Sequence, residues 1–386
     1  PPSPGFGGAL RPLGVRFGPE HPDGRLSVHV RPPTSRERPV VLDRGSRLSR
    51  RAVLARSLAL AAVSSVAARL SSAEAATRVT VALDWYPNAN HAGLFLARER
   101  GYAAAAGLEA ELYTPADPAT VLQTVGAGQD TFGISYQTDI LLARAQGVPV
   151  VSVAALVQRP LLGIMSLAGR GIGRPRDLVG KTVGYPGIPS QEAFLATMLE
   201  ADGARLNDVE LVDVDFALVP AVVSARVDAV MGAYWTHETI LAEREGHPVN
   251  LMRVEEWGVP AYYELVLAAS ERTVAGDPET VRAVLAAAQR GYAEAAVEQG
   301  AALDALAAAS PELDRAVEAE GLALLAPAWT EGVPAFGTQD PERWRAYAAW
   351  MAGRGLIPAE LDPGSAFTTA LLPAASGVVA AASPLS

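Results

Sequence analysis

The sequence predicts an α/β protein of two lobes with a ligand cleft between them. Two observations predict it. Strand-like apolar runs alternate with helical segments from Arg78 to Leu156, which builds a mainly parallel sheet with helices on both faces. The alternation then restarts and ends in a strand able to rejoin the first sheet, so a second lobe is inserted into the first.

Each element has its own signal. Arg78 to Trp85 alternates apolar and polar residues and reads as a strand. Ala92 to Ala106 has helical spacing and stops at Gly107. "LEAELYTP" is a second strand, and "DPATVLQTVGAGQ" a helix with Asp117 as N-cap and Pro118 at its first position. "DTFGISY" is a strand, "QTDILLARAQG" a helix, and "VPVVSVAAL" a buried strand. The second series runs through a short helix at Pro175, strand Lys181 to Tyr185, helix Gln191 to Gly203 and strand Val209 to Val214. It closes with a short helix at Pro220 to Ala225, strand "VDAVMGAYW" and helix Thr236 to Glu245. "GVPAYYELVLAAS" is the returning strand, and four helical segments follow it between Glu279 and Gly353.

Ahead of the lobes, residues 1–47 are rich in Pro, Gly and Arg without a sustained period, as in a disordered extension or an over-extended translation start. "SRRAVLARSLALAAVSSVAARLSSAEAA" has the order of an export signal: a basic pair, a weak apolar run and a small-x-small cleavage site. Ser49-Arg50-Arg51 resembles a twin-arginine signal. The expectation is a folded protein exported to the periplasm or secreted. The chain therefore divides into an extension (1–47), a twin-arginine-type signal peptide (48–76), the first part of lobe 1 (77–168) and lobe 2 (169–260). The return strand and C-terminal helices of lobe 1 (261–368) and a flexible tail (369–386) complete it.

Composition excludes several functions. A net charge of −10 does not suit a nucleic-acid partner, which needs a basic surface. The absence of cysteine removes disulfides, thiolate metal sites, a cysteine nucleophile and a lipid-anchor cysteine. The five histidines are isolated, with no HxxxH or HxH spacing, so no metal is expected. No G-x-S-x-G elbow and no phosphate loop are present.

Polar and aromatic residues gather instead in five strand-end loops. These carry Asp84, Trp85, Tyr86, Asn88, Asn90 and His91; Ser135, Tyr136, Gln137 and Asp139; Tyr185; Tyr234, Trp235, His237 and Glu238; and Tyr262, Tyr263 and Glu264. Aromatic faces can sandwich a flat ring, and carboxylates accept hydrogen bonds from exocyclic amines. The chemistry is that of a pocket for a planar nitrogen heterocycle.

"LDWYPNANHAGLFLARERGY", "VLQTVGAGQDTFGISYQTDILLARAQGVPVVSVAAL", "DLVGKTVGYPG" and "WGVPAYYELVLAAS" resemble the periplasmic solute-binding proteins for thiamine-pyrimidine precursors. Fungal-type hydroxymethylpyrimidine phosphate synthases belong to the same superfamily. The resemblance covers most of residues 78 to 270. It implies a type II periplasmic-binding-protein fold, with two lobes joined by a two-strand hinge. It implies no enzyme and no cofactor, and a monomer without a direct membrane anchor that serves ABC transporter permease and ATPase subunits. The expected ligand is a formylaminopyrimidine or hydroxymethylpyrimidine, with riboflavin as the alternative. Carried onto this chain, the resemblance suggests Trp85, Tyr185 and Trp235 as ring contacts. Asp84, Asn88, Glu238 and Glu264 would be hydrogen-bond partners, with His91, Tyr136 and Tyr263 completing the shell. The synthase branch holds pyridoxal phosphate on a lysine and places a histidine one turn later. Here Ser135 and Asp139 stand in those places, and Lys181, the only lysine, opens a strand.

Overall fold

The computed structural model describes residues 76–374. The expected extension, the twin-arginine signal and the end of the expected flexible tail lie outside those residues. The start of that tail is held in place, with Leu371 buried in the core.

Two five-stranded sheets form the two lobes. In the first, β1 (Thr77–Ala82), β2 (Leu108–Tyr113), β3 (Phe132–Ser135), β4 (Val150–Ala155) and β10 (Val266–Ser270) lie in the order β2-β1-β3-β10-β4. β1 runs parallel to β2 and β3, and the returning β10 is antiparallel to β3 and β4. The second sheet contains β5 (Leu162–Leu167), β6 (Thr182–Tyr185), β7 (Glu210–Asp213), β8 (Ala229–Tyr234) and β9 (Val249–Arg253), in the order β7-β6-β8-β5-β9. The fold is thus that of the type II periplasmic binding proteins, each sheet completed by one strand that crosses from the other lobe.

β5 and β9 are not among the elements read from the sequence. β5 precedes residue 169, where lobe 2 was expected to begin, so the chain crosses between the sheets at 156–161 and again at 254–265. The expected helix from Ala92 to Ala106 is two helices, α1 (Ala92–Glu99) and α2 (Tyr102–Ala105). Gly101 between them has a left-handed backbone (φ 68°) that interrupts the first. The remaining helices are α3 (Val121–Ala127), α4 (Gln137–Ala145), α5 (Pro189–Ala201), α6 (Leu218–Val223), α7 (Glu238–Arg244), α8 (Glu271–Gly276), α9 (Pro278–Val297), α10 (Gln299–Ala309), α11 (Arg315–Leu325) and α12 (Pro341–Gly353). Asp117 does cap the turn that leads into α3, accepting from Ala119 N–H at 2.9 Å.

One hydrophobic core underlies the first sheet and α9–α11, and a second continues from α4 and β10 through the crossings to α5 and β8. Aromatic rings fill the passage between lobes. Tyr262 lies 5.2 Å from Tyr347 of α12 and 5.3 Å from Phe194 of α5, and Trp350 stacks on both Tyr347 and Phe194. Each fully buried ring removes enough apolar surface to contribute on the order of 2 kcal/mol. That packing holds one side of the interlobe gap together and leaves the strand ends to line it. Among the described residues, no helix is long and apolar enough to cross a membrane.

Candidate ligand-binding site

The carboxyl ends of β1 and β3 in the first lobe face those of β6 and β8 in the second. Between them lies a narrow cleft whose free space is about 340 Å³ including its solvent-open part. Asp84, Trp85, Asn88 and Tyr136 form its first-lobe wall, and Ile188, Gln191, Gly232, Tyr234, His237 and Glu238 its second.

Asp84 is the organising group of the first wall. Although almost fully buried, it accepts from the Tyr136 hydroxyl at Oδ2 (3.0 Å) and meets His91 Nε2 at Oδ1 (2.9 Å). The Asn88 N–H donates to His91 Nδ1 (3.2 Å), so Nε2 carries the proton and donates to Asp84. Asn88 caps the short turn Ala89–His91: its Oδ1 accepts from the Asn90 backbone N–H (2.9 Å), and its Nδ2 donates to the Tyr86 carbonyl (3.0 Å). These bonds consume local polar groups and fix the loop, leaving the Trp85 ring on the cavity side. Burial, with Asp84 beside it, pushes the Tyr136 phenol well above its ordinary value, so it stays a neutral donor.

In the second wall, Glu238 opens α7 and is buried, accepting from the Tyr234 N–H at 2.8 Å. Gly232 has φ 108°, and a Cβ there would sit 2.5 Å from Gln191 Oε1, so glycine is what leaves room for Gln191. Gln191 Oε1 is buried and has no hydrogen-bond partner among the described residues. At the mouth, Phe216 of the second lobe meets Trp85 edge-on at 4.2 Å and Tyr86 at 4.6 Å. Asp215, just before it, has a left-handed backbone (φ 51°), a strained conformation of the kind that collects at binding sites.

Of the residues the sequence singled out, Asp84, Trp85, Asn88, Tyr136, Tyr234, His237 and Glu238 line this cavity, and the others do not. His91 stands behind Asp84 and positions it. Tyr185 ends β6 and packs on the shared core. Trp235 faces away, its indole N–H donating to the Pro160 carbonyl (3.3 Å), with Arg253 over its ring at 4.7 Å. Tyr263 is buried beside Trp344, its hydroxyl accepting from the Asp340 N–H (2.6 Å). Glu264 sits at the crossing. It accepts from the Leu161 N–H (2.6 Å) and from the hydroxyls of Tyr262 (3.0 Å) and Tyr234 (3.1 Å), tying both crossing segments to the end of β8. Burial pushes its carboxyl up to about 7 against the pull of those three donors.

Four contributors were not singled out from the sequence: Gly232 in β8, and three more. Ile188 and Gln191 follow β6, and no local pattern distinguishes them from ordinary helix-start residues. Glu318 of α11 accepts from the Ala89 N–H (2.6 Å), and its other oxygen lies 3.3 Å from His237 Nδ1 in the second lobe. It is remote in sequence from both partners and carries no local signal.

Fold and cavity define the class first: a two-lobed α/β protein of the periplasmic-binding-protein architecture, with its polar and aromatic groups gathered between the lobes. The alkanesulfonate-binding protein SsuA from Xanthomonas axonopodis pv. citri has the same fold, with a TM-score of 0.61 at 16% identity over 76% of this chain and 98% of that one. Residues 88–302 match the family described as NMT1/THI5 like, and the chain belongs to that family. It is 41% identical to the formylaminopyrimidine-binding protein of Halalkalibacterium halodurans, over 72% of this chain and 86% of the relative. It is 29% identical to the riboflavin-binding protein RibY of Chloroflexus aurantiacus, over 78% and 87% respectively.

Proposed function

We propose that this protein is the solute-binding component of an ABC importer and captures a thiamine pyrimidine precursor, a formylaminopyrimidine or hydroxymethylpyrimidine, between its lobes. The observation that carries the reading is the polarity of the cavity. Two buried acids, Asp84 and Glu238, line the cavity together with Trp85, and no arginine or lysine lines the walls. Such a wall accepts hydrogen bonds from ring and exocyclic N–H groups and repels sulfonates, phosphates and other anions. Synthase chemistry through a Schiff base would need a lysine at the site. Lys181 is the only one in the chain and does not line the cavity. Export to the periplasm or to the medium, and docking on permease and ATPase subunits, follow from this role.

The test is a thermal-shift and calorimetric panel on the full chain. It contains hydroxymethylpyrimidine, its formylated aminomethyl relative, riboflavin, taurine and pyridoxal phosphate. A pyrimidine should raise the melting temperature, because a ligand that binds only the folded state stabilises it by mass action. Stabilisation by riboflavin alone would keep the role and replace the ligand. A shift with taurine, or a yellow adduct with pyridoxal phosphate, would overturn the reading.

A further inference from the structure

The ring cavity has a neighbour. On the far side of Asp84, Tyr136 and Ile188, which the two share as a common wall, a second chamber spans about 720 Å³ including its solvent-open part. Its other walls come mainly from α3 and α4. Leu122 and Leu142 give it apolar flanks, while Ser135 and Asp139 are among its polar lining. No basic side chain lines it, so its charge comes from two carboxylates alone, Asp84 and Asp139.

Asp84 is occupied by Tyr136 and His91, but Asp139 is not matched in this way. Its Oδ1 is buried and has no hydrogen-bond partner among the described residues. Burial pushes its carboxyl up to about 7, and the Ser190 hydroxyl, from the opposite lobe, draws it only partly back. An apolar-walled chamber that holds an unmatched carboxylate oxygen suits a group bringing its own donors and, best, its own positive charge. Neutral donors such as the Gln123 and Gln146 amides lie on the same wall without pairing with Asp139.

We infer that the cleft is a two-chamber site, and that the second chamber takes an amine- or ammonium-bearing arm of the ligand with Asp139 as its acceptor. The inference rests on the cleft being a binding site, but not on the pyrimidine. Closure of Ser190 against Asp139 would then shut the chamber from the second lobe.

The experiment uses a single-ring ammonium probe, and substitutions on the second chamber's own walls locate where it binds. Benzylammonium and benzyl alcohol share a ring and differ in charge, and both are read by saturation-transfer NMR on the full chain at pH 8. Benzylammonium should bind, and Asp139→Asn, which keeps the shape and removes the charge, should weaken it about tenfold. Benzyl alcohol should be bound less well and respond little to that substitution. Leu142→Phe, which fills the chamber without touching Asp139, should displace the probe as well. Hydroxymethylpyrimidine binding to the wild-type protein is measured by calorimetry alongside. Benzylammonium binding that is absent, or equal in wild type and Asp139→Asn, would overturn the inference. If hydroxymethylpyrimidine fails to bind while the benzylammonium signal follows Asp139, the chamber stands and the pyrimidine reading falls.

Discussion

Asp84 and Trp85 are adjacent in sequence and divide the work of the first wall between them. The acid is held by Tyr136 and His91 and gives the cavity its charge, and the indole gives it a flat apolar face. Trp85→Ala should weaken ligand binding by about 1–3 kcal/mol, the range of one aromatic stack, while the unliganded melting temperature changes little. Calorimetry and thermal melting on the same variant separate the two effects. Asp84→Asn should cost both binding and stability, because an amide cannot accept from the Tyr136 hydroxyl and the His91 N–H at two oxygens. One donor is then left facing an NH₂ group, at about 1–3 kcal/mol. Glu264 is a different case. Glu264→Ala should leave ligand contacts intact and lower stability on the order of 3 kcal/mol by stripping three buried donors of their acceptor. A loss of affinity at unchanged stability would return Glu264 to the pocket.

At the scale of elements, alternation along a chain explains which neighbours entered the cavity. Successive residues at a strand end point to opposite sides, so Tyr234 lines the cleft and Trp235 faces the Pro160 carbonyl. The same rule separates Tyr263, buried beside Trp344, from Glu264, turned toward Tyr234. The loops themselves were legible, because an apolar run ending in polar and aromatic residues marks the carboxyl end of a strand. Which member of each pair faced the cleft was not, since that depends on the register of a pairing partner. β5 escaped for a related reason: "LGIMSL" is a short, mostly apolar run whose strand character shows only once β8 and β9 flank it. The start of α7 and helix α11 meet across the lobes with almost no clearance, since a Cβ at Gly321 would lie 2.3 Å from the Thr236 carbonyl oxygen. Gly321→Val should therefore hold the lobes apart. Small-angle scattering should show a larger radius of gyration with ligand present than wild type, together with a loss of affinity.

For the whole molecule, the two crossings and the aromatic packing around Tyr262 and Tyr347 join the lobes. The buried acids at those crossings and in the cleft give stability a sign with pH. Glu264 and Asp139 titrate near 7 in the fold, against 4.5 and 3.8 for the free groups. Between about pH 5 and 7 the folded state therefore holds more protons than the unfolded one, and these two groups lower stability as pH rises through that window. The melting temperature of the unliganded protein should be higher at pH 5.5 than at pH 7.5. Glu264→Gln should flatten that slope. A slope of opposite sign in the wild type, or one untouched by the substitution, would show that these acids are ionised in the fold.

By itself the sequence determined the class of architecture, the split first lobe and the loops that carry the site. Those depend on local periodicity and on residue types at strand ends, which any neighbouring partner would respect. It also showed that those loops are acidic and aromatic and that the chain's one lysine lies apart from them, just ahead of a strand. Only the tertiary structure decided which side chains share a cavity. Glu318 reaches Ala89 and His237, Glu264 closes the hinge, and Asp139 stands unmatched beside Ser190 through contacts between residues far apart in the chain. Burial and hydrogen-bond satisfaction are properties of such contacts. They come into being when the two sheets face each other, and no stretch of sequence contains them.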